Sequence, residues 1–256
     1  MFAEERQNKI LKLLKEQGSL KVVTLTELFN VSESTIRRDL QEMDEKGLLS
    51  RTHGGAVSLQ STSFEPSFKE KEIEGHDEKV AIAKLAASMI KDGDTILLDS
   101  GTTTLEIAKH ITAHKVTVIT NSIDISSVLS NNENIDLIVT GGSMRFTTRA
   151  MVGPITENVL KNFRVDKAFI GTNAISIQEG ITTPNFIEAQ TKKTMMNVSN
   201  NVIVVADSSK FNKVSFSIIS PLKSISSIIT SGDLDGETLK NFEDAGIEII
   251  YTNKDD

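Results

Sequence analysis

The pattern of hydrophobic positions divides the chain into a short helical segment and a longer segment in which strands and helices alternate. In residues 4–17 the apolar side chains fall on one helix face and Gly18 follows, which predicts an amphipathic helix ending at that glycine. A shorter helix over residues 24–29 and a turn at Asn30 come next. The chain is therefore predicted to begin with two consecutive helices.

A third helix is predicted to start after Ser32, a favourable N-cap, and to end near Gly47. Its apolar residues recur at intervals of three and four and form one buried stripe, namely Ile36, Leu40 and Met43. Residues 48–59 then predict a two-stranded hairpin that bends at His53-Gly54-Gly55. Three helices and a hairpin predict a winged helix-turn-helix domain over residues 1–57.

The rest of the chain has a different texture. Residues 58–76 mix Ser, Thr, Pro and charged residues without a sustained period, and we interpret them as a linker. In residues 77–256, short apolar runs alternate with helical segments, which predicts an α/β domain with a mainly parallel sheet and helices on both faces. The runs predicted as strands are 95–99, 116–121, 136–141, 167–171, 201–207, 226–230 and 247–251.

The charge balance has to be divided by segment. The 256 residues are 38% hydrophobic and 25% charged, and their net charge of −7, taken alone, argues against a nucleic-acid-binding protein. Residues 1–57 nevertheless hold nine Lys/Arg and nine Asp/Glu, so the acidic excess lies in residues 58–256. DNA binding would then depend on the placement of cations on one face and on dimerisation.

Several kinds of chemistry are disfavoured by what the sequence lacks. It contains no cysteine and only four His without a paired metal-binding spacing, so we expect neither a metal site nor a cofactor. No tract is long and apolar enough to cross a membrane, and the charged N-terminus carries no secretion signal. We therefore expect a cytoplasmic protein without a membrane partner.

The exposed face of the third helix carries side chains that can bind DNA. The helical period puts Ser34, Arg38 and Gln41 opposite the buried stripe. Arginine can bond guanine and glutamine can bond adenine in the major groove, while hydroxyl groups can hold phosphates. An ordinary solvated face is the alternative, but the preceding helix and turn and the following hairpin favour DNA recognition. The candidate DNA-binding residues are Ser32, Ser34, Thr35, Arg37, Arg38, Gln41, Arg51 and His53.

A second motif lies between the predicted strand 95–99 and the helix that follows it. The segment 99–104, Asp-Ser-Gly-Thr-Thr-Thr, offers backbone N–H groups at a helix start together with hydroxyl donors, a chemistry that binds phosphate. Such turns are often only helix caps, and the lysine-containing phosphate loop GxxxxGK is absent.

Polar residues and glycines also follow other predicted strands. Because ligands of open parallel sheets bind beyond the carboxyl ends of the strands, these residues are expected to converge on one rim. The glycines could instead only turn the chain, and Arg145 or Lys210 could be solvated or paired with acids. The candidates are Asp99, Ser100, Gly101, Thr102, Thr103, Thr104, Thr120, Asn121, Gly141, Gly142, Arg145, Asn173 and Lys210.

Motifs in both segments resemble one family. They are SESTIRRDL at 32–40 and RTHGGA at 51–56, followed by DSGTTTLEIA, TGGSMRFTTRAMVGP, KAFIGTNAIS, GITTPNFIEAQTKK and VADSSKF. Over nearly the whole chain the sequence resembles the DeoR family of bacterial transcriptional regulators. The resemblance implies a sensor domain similar in fold to ribose-5-phosphate isomerase and a phosphorylated sugar as effector. It also implies that residues 100–104 hold the phosphate and that Gly142, Arg145, Asn173, Glu188 and Lys210 surround the sugar. Arg6 and Asp39 flank the buried stripe and are predicted to form a structural ion pair rather than to contact DNA.

An isomerase is the rival class, since sugar-phosphate isomerases share this fold. Isomerisation needs a base and a group that stabilises the enediolate. The region that carries acidic residues in those enzymes is Gly-Thr-Asn-Ala-Ile-Ser (171–176) here, and only Glu188 remains as a candidate base. We therefore predict no catalytic residues and a regulator rather than an enzyme.

The predicted mechanism is allosteric. A homo-oligomer, either a dimer or a tetramer formed through residues 77–256, would present paired winged helices to double-stranded operator DNA. Effector binding would change their spacing or orientation and weaken the complex. Repression of a sugar-catabolism operon, relieved by a sugar phosphate, is the usual outcome in the family.

Overall fold

The chain folds into two units, Met1–Pro66 and Ser67–Asp256. The structure, a computed structural model, describes residues 2–52, 54–58, 62, 65–232 and 234–252. Within these residues, no helix combines the length and the apolar character needed to cross a membrane.

The first unit is a winged helix-turn-helix. Its elements are α1 (Ala3–Gln17), β1 (Ser19–Lys21), α2 (Val22–Phe29), α3 (Glu33–Glu45), β2 (Ser50–Thr52) and β3 (Gly55–Val57). The strands form an antiparallel sheet in the order β1-β3-β2, so β1 adds a strand to the predicted hairpin. The predicted stripe of α3 is buried together with Ile10 and Leu25.

The second unit is built on parallel strands with helices between them. Its strands are β4 (Thr95–Leu98), β5 (Val116–Thr120), β6 (Ile135–Val139), β7 (Ser143–Arg145), β8 (Ala150–Val152), β9 (Val165–Gly171), β10 (Ala174–Ser176), β11 (Gly180–Thr183), β12 (Ser199–Val205), β13 (Ser217–Ser220), β14 (Ser227–Thr230) and β15 (Glu248–Tyr251). Its helices are α4 (Phe68–Ile73), α5 (His76–Ser88), α6 (Thr102–His110), α7 (Ile123–Leu129), α8 (Pro154–Leu160), α9 (Phe186–Asn197) and α10 (Gly236–Asp244).

The main sheet has seven strands, all parallel, in the order β15-β14-β12-β9-β4-β5-β6. These are the strands that the apolar runs predict, so the mainly parallel α/β fold is confirmed. Two antiparallel additions were not predicted: the hairpin β7-β8 and the small sheet β10-β11-β13.

Both faces of the main sheet are covered. Ile96 and Leu98 point to a core shared with α5, α6 and α7, whereas Leu97, between them, points to a core shared with α8, α9 and α10. Successive residues of a strand face opposite sides, so a strand buried on both sides is continuously apolar. The central strands β9, β4 and β5 therefore lie between two helical layers.

The second unit begins earlier than the sequence analysis places it. Residues 67–76, assigned to the linker 58–76, include α4, whose Ser67 and Glu70 form a reciprocal capping box. The Phe68 side chain is buried in the core beside α5 and α6. The sequence signal for this helix was the Ser-x-x-Glu spacing at its start, in an otherwise irregular segment. Ten residues of the predicted linker therefore belong to the α/β unit.

Candidate functional site

Helix α3 presents the predicted DNA-binding face. Ser32 caps it, its Oγ accepting the Thr35 N–H at 3.3 Å, and the Asn30 backbone adopts the left-handed conformation that ends α2. With the apolar stripe buried, Arg38 and Gln41 are exposed on the opposite side. A short turn between two helices, the second with a polar outer face, is the geometry that places a helix in the major groove.

The polar side chains on this face differ in what holds them. Arg37 pairs with Glu33 at 2.6 Å, and Gln41 donates to Glu45 at 2.8 Å while accepting from Arg51. The Ser32 hydroxyl group is hydrogen-bonded to the hydroxyl groups of both Ser34 and Thr35. In the part of the chain that is described, no side chain pairs with the exposed Arg38. Arg38 is therefore the cation of this face most available to a base or phosphate. His53 lies outside the described residues.

A buried ion pair fixes α1 against α3. Arg6 and Asp39 are only 6% and 3% exposed, and their side chains form two hydrogen bonds, one of them Nη2 to Oδ1 at 2.9 Å. The hydrogen bond to Asp39 raises the pKa of Arg6. The predicted structural ion pair is confirmed, and its effect is to orient the helix that carries Arg38.

The wing depends on close backbone packing. A Cβ atom at Gly55 would lie 1.9 Å from the carbonyl oxygen of Leu20, so only glycine lets β3 approach β1. This explains the second glycine of the predicted His53-Gly54-Gly55 bend.

In the second unit, the loop between β4 and α6 leads into a helix whose first residues, Thr102–Thr104, are buried. Its N-cap is Gly101, and no side chain caps the helix. The same is true of α5 and α8, whereas side chains cap α7, α9 and α10. Thr104 instead turns its hydroxyl back to the carbonyl oxygens of Asp99 and Gly101. The first N–H groups of a helix have no partner inside it, and they attract anions. The Ser/Thr residues of this loop therefore do not act as a side-chain cap.

The neighbouring strand end supports this loop. Asn121, after β5, accepts the Ser100 N–H at 3.0 Å and donates to the Met151 carbonyl at 2.8 Å. The Thr120 hydroxyl donates to the Leu98 carbonyl at 2.7 Å. Both residues are buried and bonded to the protein itself, so they position the loop.

A buried ion pair lies at the carboxyl end of β4. Asp99, 1% exposed, accepts hydrogen bonds from the Lys192 ammonium group and from the Gly171 N–H at 3.0 Å. Burial raises the pKa of Asp99, an effect that Lys192 opposes and the carboxylate of Glu188 reinforces. Its Oδ1 is buried with no hydrogen-bond partner among the described residues. Asp99 thus retains an acceptor for a further donor.

A second ion pair involves Glu188, which lies on the same helix as Lys192. Glu188, 3% exposed and four residues earlier on α9, pairs with Arg145 at 2.9 Å and accepts a hydrogen bond from the Thr148 hydroxyl. Residues four apart lie on one helix face. The structure therefore groups two carboxylates and two cations beside the start of α6, and we call Asp99, Lys192, Glu188 and Arg145 the rim cluster.

Other candidates make local contacts within their own loops and strands. A Cβ atom at Gly142, whose φ is +125°, would lie 2.1 Å from the Thr156 hydroxyl, so this glycine serves a tight turn. Gly141 also has a positive φ. Asn173 is bonded to the Thr183 hydroxyl at 3.0 Å.

Lys210 belongs to a different group. It lies 3.6 Å from Asp207. Burial acts to raise the pKa of Asp207, but Lys210, Ser209 and Lys79 together hold that pKa below its ordinary value. Burial lowers the pKa of Lys79. Among the described residues, no hydrogen bond or ion pair joins Lys210 to the rim cluster.

Sequence reasoning missed two members of the site. Lys192 lies four residues after Glu188, a helical spacing visible in Glu-Ala-Gln-Thr-Lys, and Thr148 follows Arg145 in the same motif. No group of three or more His, Asp or Glu side chains in the described ranges could hold a metal ion.

Comparison with known proteins gives matches over both units. A DeoR-like helix-turn-helix domain matches residues 6–62, and a DeoR C terminal sensor domain matches residues 74–232. The chain is 39% identical to the uncharacterized HTH-type transcriptional regulator YulB of Bacillus subtilis, over 97% of this chain and 96% of that protein. It is 40% identical to the transcriptional repressor AccR of Agrobacterium fabrum over 89% of each.

A third relative, the HTH-type transcriptional regulator GlpR of Haloferax volcanii, is 35% identical over 98% of each chain. All three are named as regulators or repressors of transcription. Among solved structures, ribose 5-phosphate isomerase A of Methanocaldococcus jannaschii superposes with a TM-score of 0.40 at 20% identity, covering 54% of this chain and 55% of that chain.

Proposed function

The chain belongs to the DeoR family of HTH-type transcriptional regulators, and on that premise we propose that it represses a sugar-catabolism operon under the control of a phosphorylated sugar. The DNA-binding unit reads double-stranded operator DNA, and the α/β unit senses the effector. The protein works in the cytoplasm and needs no cofactor.

The uncapped start of α6 carries the effector assignment. It lies at the carboxyl end of β4, where open parallel sheets bind ligands. The rim cluster beside it has two acids and two bases, so the cluster itself carries no net positive charge to attract an anion. Backbone N–H groups are then the hydrogen-bond donors for phosphate, and the helix dipole adds to their attraction for an anion.

The same cluster favours a ligand with hydroxyl groups. Asp99 keeps one buried acceptor without a partner, and an unsatisfied buried polar atom costs about 1–3 kcal/mol. A sugar hydroxyl that donates to Asp99 would remove this cost. A polyol that carries a phosphate therefore fits both halves of the site.

The rival isomerase assignment is not retained, because the relatives are regulators and the lone candidate base is engaged. Glu188 already accepts hydrogen bonds from Thr148 and pairs with Arg145. A catalytic base needs its carboxylate directed at a substrate proton.

On the DNA, a homodimer or tetramer places two α3 helices in successive major grooves of a palindromic or repeated site. Arg38 supplies the principal base contact, and the hydroxyl cluster of Ser32, Ser34 and Thr35 contacts the backbone. Binding of the sugar phosphate changes the spacing or orientation of the two helices and releases the operator.

A gel shift on the DNA upstream of its own gene tests this proposal. The complex is challenged with a panel of sugar phosphates and with the corresponding free sugars at matched salt. We expect one phosphorylated sugar to release the DNA and to raise the melting temperature of the DNA-free protein, while its free sugar does neither. If no shift occurs, or if free sugar and phosphate act equally, the proposal fails.

A further inference from the structure

A short loop contacts both the rim cluster and the first helix of the α/β unit. This coupling loop, residues 145–149, joins β7 to β8. From it, Arg145 pairs with Glu188 at 2.9 Å and the Thr148 hydroxyl donates to the same Glu188 oxygen. Any change in what Glu188 binds therefore acts on two residues of the coupling loop.

The other side of the loop holds α4. The Thr147 carbonyl accepts the Phe68 N–H at 2.8 Å, and the Arg149 guanidinium group lies 5.9 Å from the centre of the Phe68 ring. Arg149 also pairs with Asp124 at 2.9 Å. A cation over an aromatic face and a charged pair each add a modest stabilisation near a surface.

The backbone of the loop is held under constraint. Arg149 has a φ of +56°, a region that residues other than glycine rarely adopt, and its N–H donates to the Arg145 carbonyl at 2.7 Å. The two ends of the loop are thus hydrogen-bonded to each other. A displacement of Arg145 would therefore act directly on the backbone of Arg149.

Helix α4 is the element on which such a displacement matters. It starts directly after Pro66, where the DNA-binding unit ends, and Phe68 anchors it in the core. Phe68 is the first residue of the helix, so its N–H has no partner within α4 and depends on Thr147. The loop therefore supplies the bond that fixes the beginning of α4.

We propose that residues 145–149 couple the rim cluster to the anchoring of α4, so that a ligand that draws Glu188 away from Arg145 and Thr148 loosens the helix that follows the DNA-binding unit. This proposal rests on the proposed function only for the identity of the ligand. The coupling itself is a property of the protein.

The test measures hydrogen exchange of the Phe68 amide in the full-length protein by NMR, without added ligand. Thr148→Val removes the hydroxyl bond to Glu188 at nearly constant volume, and Glu188→Gln removes the charge that holds Arg145. Loss of a bond of this kind corresponds to about tenfold faster exchange when the amide opens locally. We expect that change at Phe68 in both variants.

Arg149→Asn tests the other end of the loop. Asparagine tolerates positive φ, so the variant removes the guanidinium group without adding backbone strain. Lys115→Asn is its matched control, because Lys115 is also an exposed cation at positive φ (+57°). Among the described residues, no hydrogen bond or ion pair joins Lys115 to the loop or to α4. We expect faster Phe68 exchange in Arg149→Asn and wild-type exchange in Lys115→Asn.

Two results would overturn the coupling: wild-type exchange at Phe68 in a folded Thr148→Val protein, or equal acceleration in Lys115→Asn. If Glu188→Gln does not fold, Thr148→Val decides alone. If exchange behaves as expected but no sugar phosphate releases DNA, the coupling stands and the effector assignment fails.

Discussion

Replacing Lys192 by methionine would leave a carboxylate buried without its cation. The Lys192 ammonium group bonds to Asp99 and, at 3.0 Å, to the Gly171 carbonyl, and both charged side chains are almost fully buried. Methionine fills a similar volume, so packing changes little. Removing one partner of a buried pair typically costs about 3–5 kcal/mol, because the remaining charge is uncompensated. We expect a loss of that size in the free energy of unfolding at pH 7.5.

The loss should depend on pH in a defined direction. Burial already raises the pKa of Asp99, and without Lys192 the pKa rises further. In the folded variant Asp99 then binds a proton more readily than in the unfolded chain. The destabilisation is complete above the pKa that Asp99 has in the folded variant, and it disappears below the pKa that Asp99 has in the unfolded chain. Between these two values the free energy of unfolding changes by at most about 1.4 kcal/mol per pH unit for one proton.

Urea unfolding at pH 7.5 and 5.5 measures both effects. Lys193→Met is the matched control, since Lys193 is the exposed neighbour on the same helix and should change stability by less than about 0.5 kcal/mol. Adding Asp99→Asn to Lys192→Met should restore part of the loss at pH 7.5. A Lys192→Met protein as stable as the control, or one whose deficit is the same at both pH values, would refute the buried charge pair.

Three further predictions concern the other parts of the molecule. Arg38→Ala should weaken operator binding by about 1–3 kcal/mol per half-site in a gel shift at matched salt. Arg37→Ala should weaken it less, because the Arg37 side chain is paired with Glu33. Equal losses of affinity in the two variants would contradict the assigned DNA-binding face. Residues 67–256 expressed alone should melt at a higher temperature than residues 77–256, because only the longer fragment contains and buries Phe68. Equal melting temperatures would mean that α4 adds nothing to the stability of the α/β unit. Thr103→Glu should abolish binding of the releasing sugar phosphate in calorimetry while operator binding persists, since a carboxylate would compete for the N–H donors of α6; wild-type affinity would place the effector elsewhere.

The elements that sequence pattern predicted are those with a strong local period. The apolar runs gave all seven strands of the main sheet. The inner strands are buried on both faces and admit few polar residues, whereas the edge strands β6 and β15 are less buried and keep an apolar centre. The stripe of α3 was equally clear. Most strands that escaped prediction, such as β1 and β10, are three residues long and too short to show a period.

Domain limits were harder because the relevant signal was a single spacing. The segment around Ser67 and Glu70 is polar and contains Pro66, which favours a linker, yet one aromatic side chain anchors it in the core. The burial of Phe68 attaches this segment to the core despite its polar neighbours. A hydrophobic pattern averaged over a window of residues cannot show the effect of one buried side chain. Only the capping box marked a helix there.

The candidate site shows the same division between local and long-range information. The start of α6 could be predicted because its chemistry lies in six consecutive residues. For Lys192 the sequence shows only the helical spacing from Glu188, and its pairing with Asp99 could not be predicted because that partner is 93 positions away. Its burial follows from the packing of α9 against the main sheet, which also aligns Glu188 with Arg145. Arg145 and Lys210, which the sequence left open as solvated or paired with acids, are each paired with a carboxylate that only the fold brings into place or the local turn supplies.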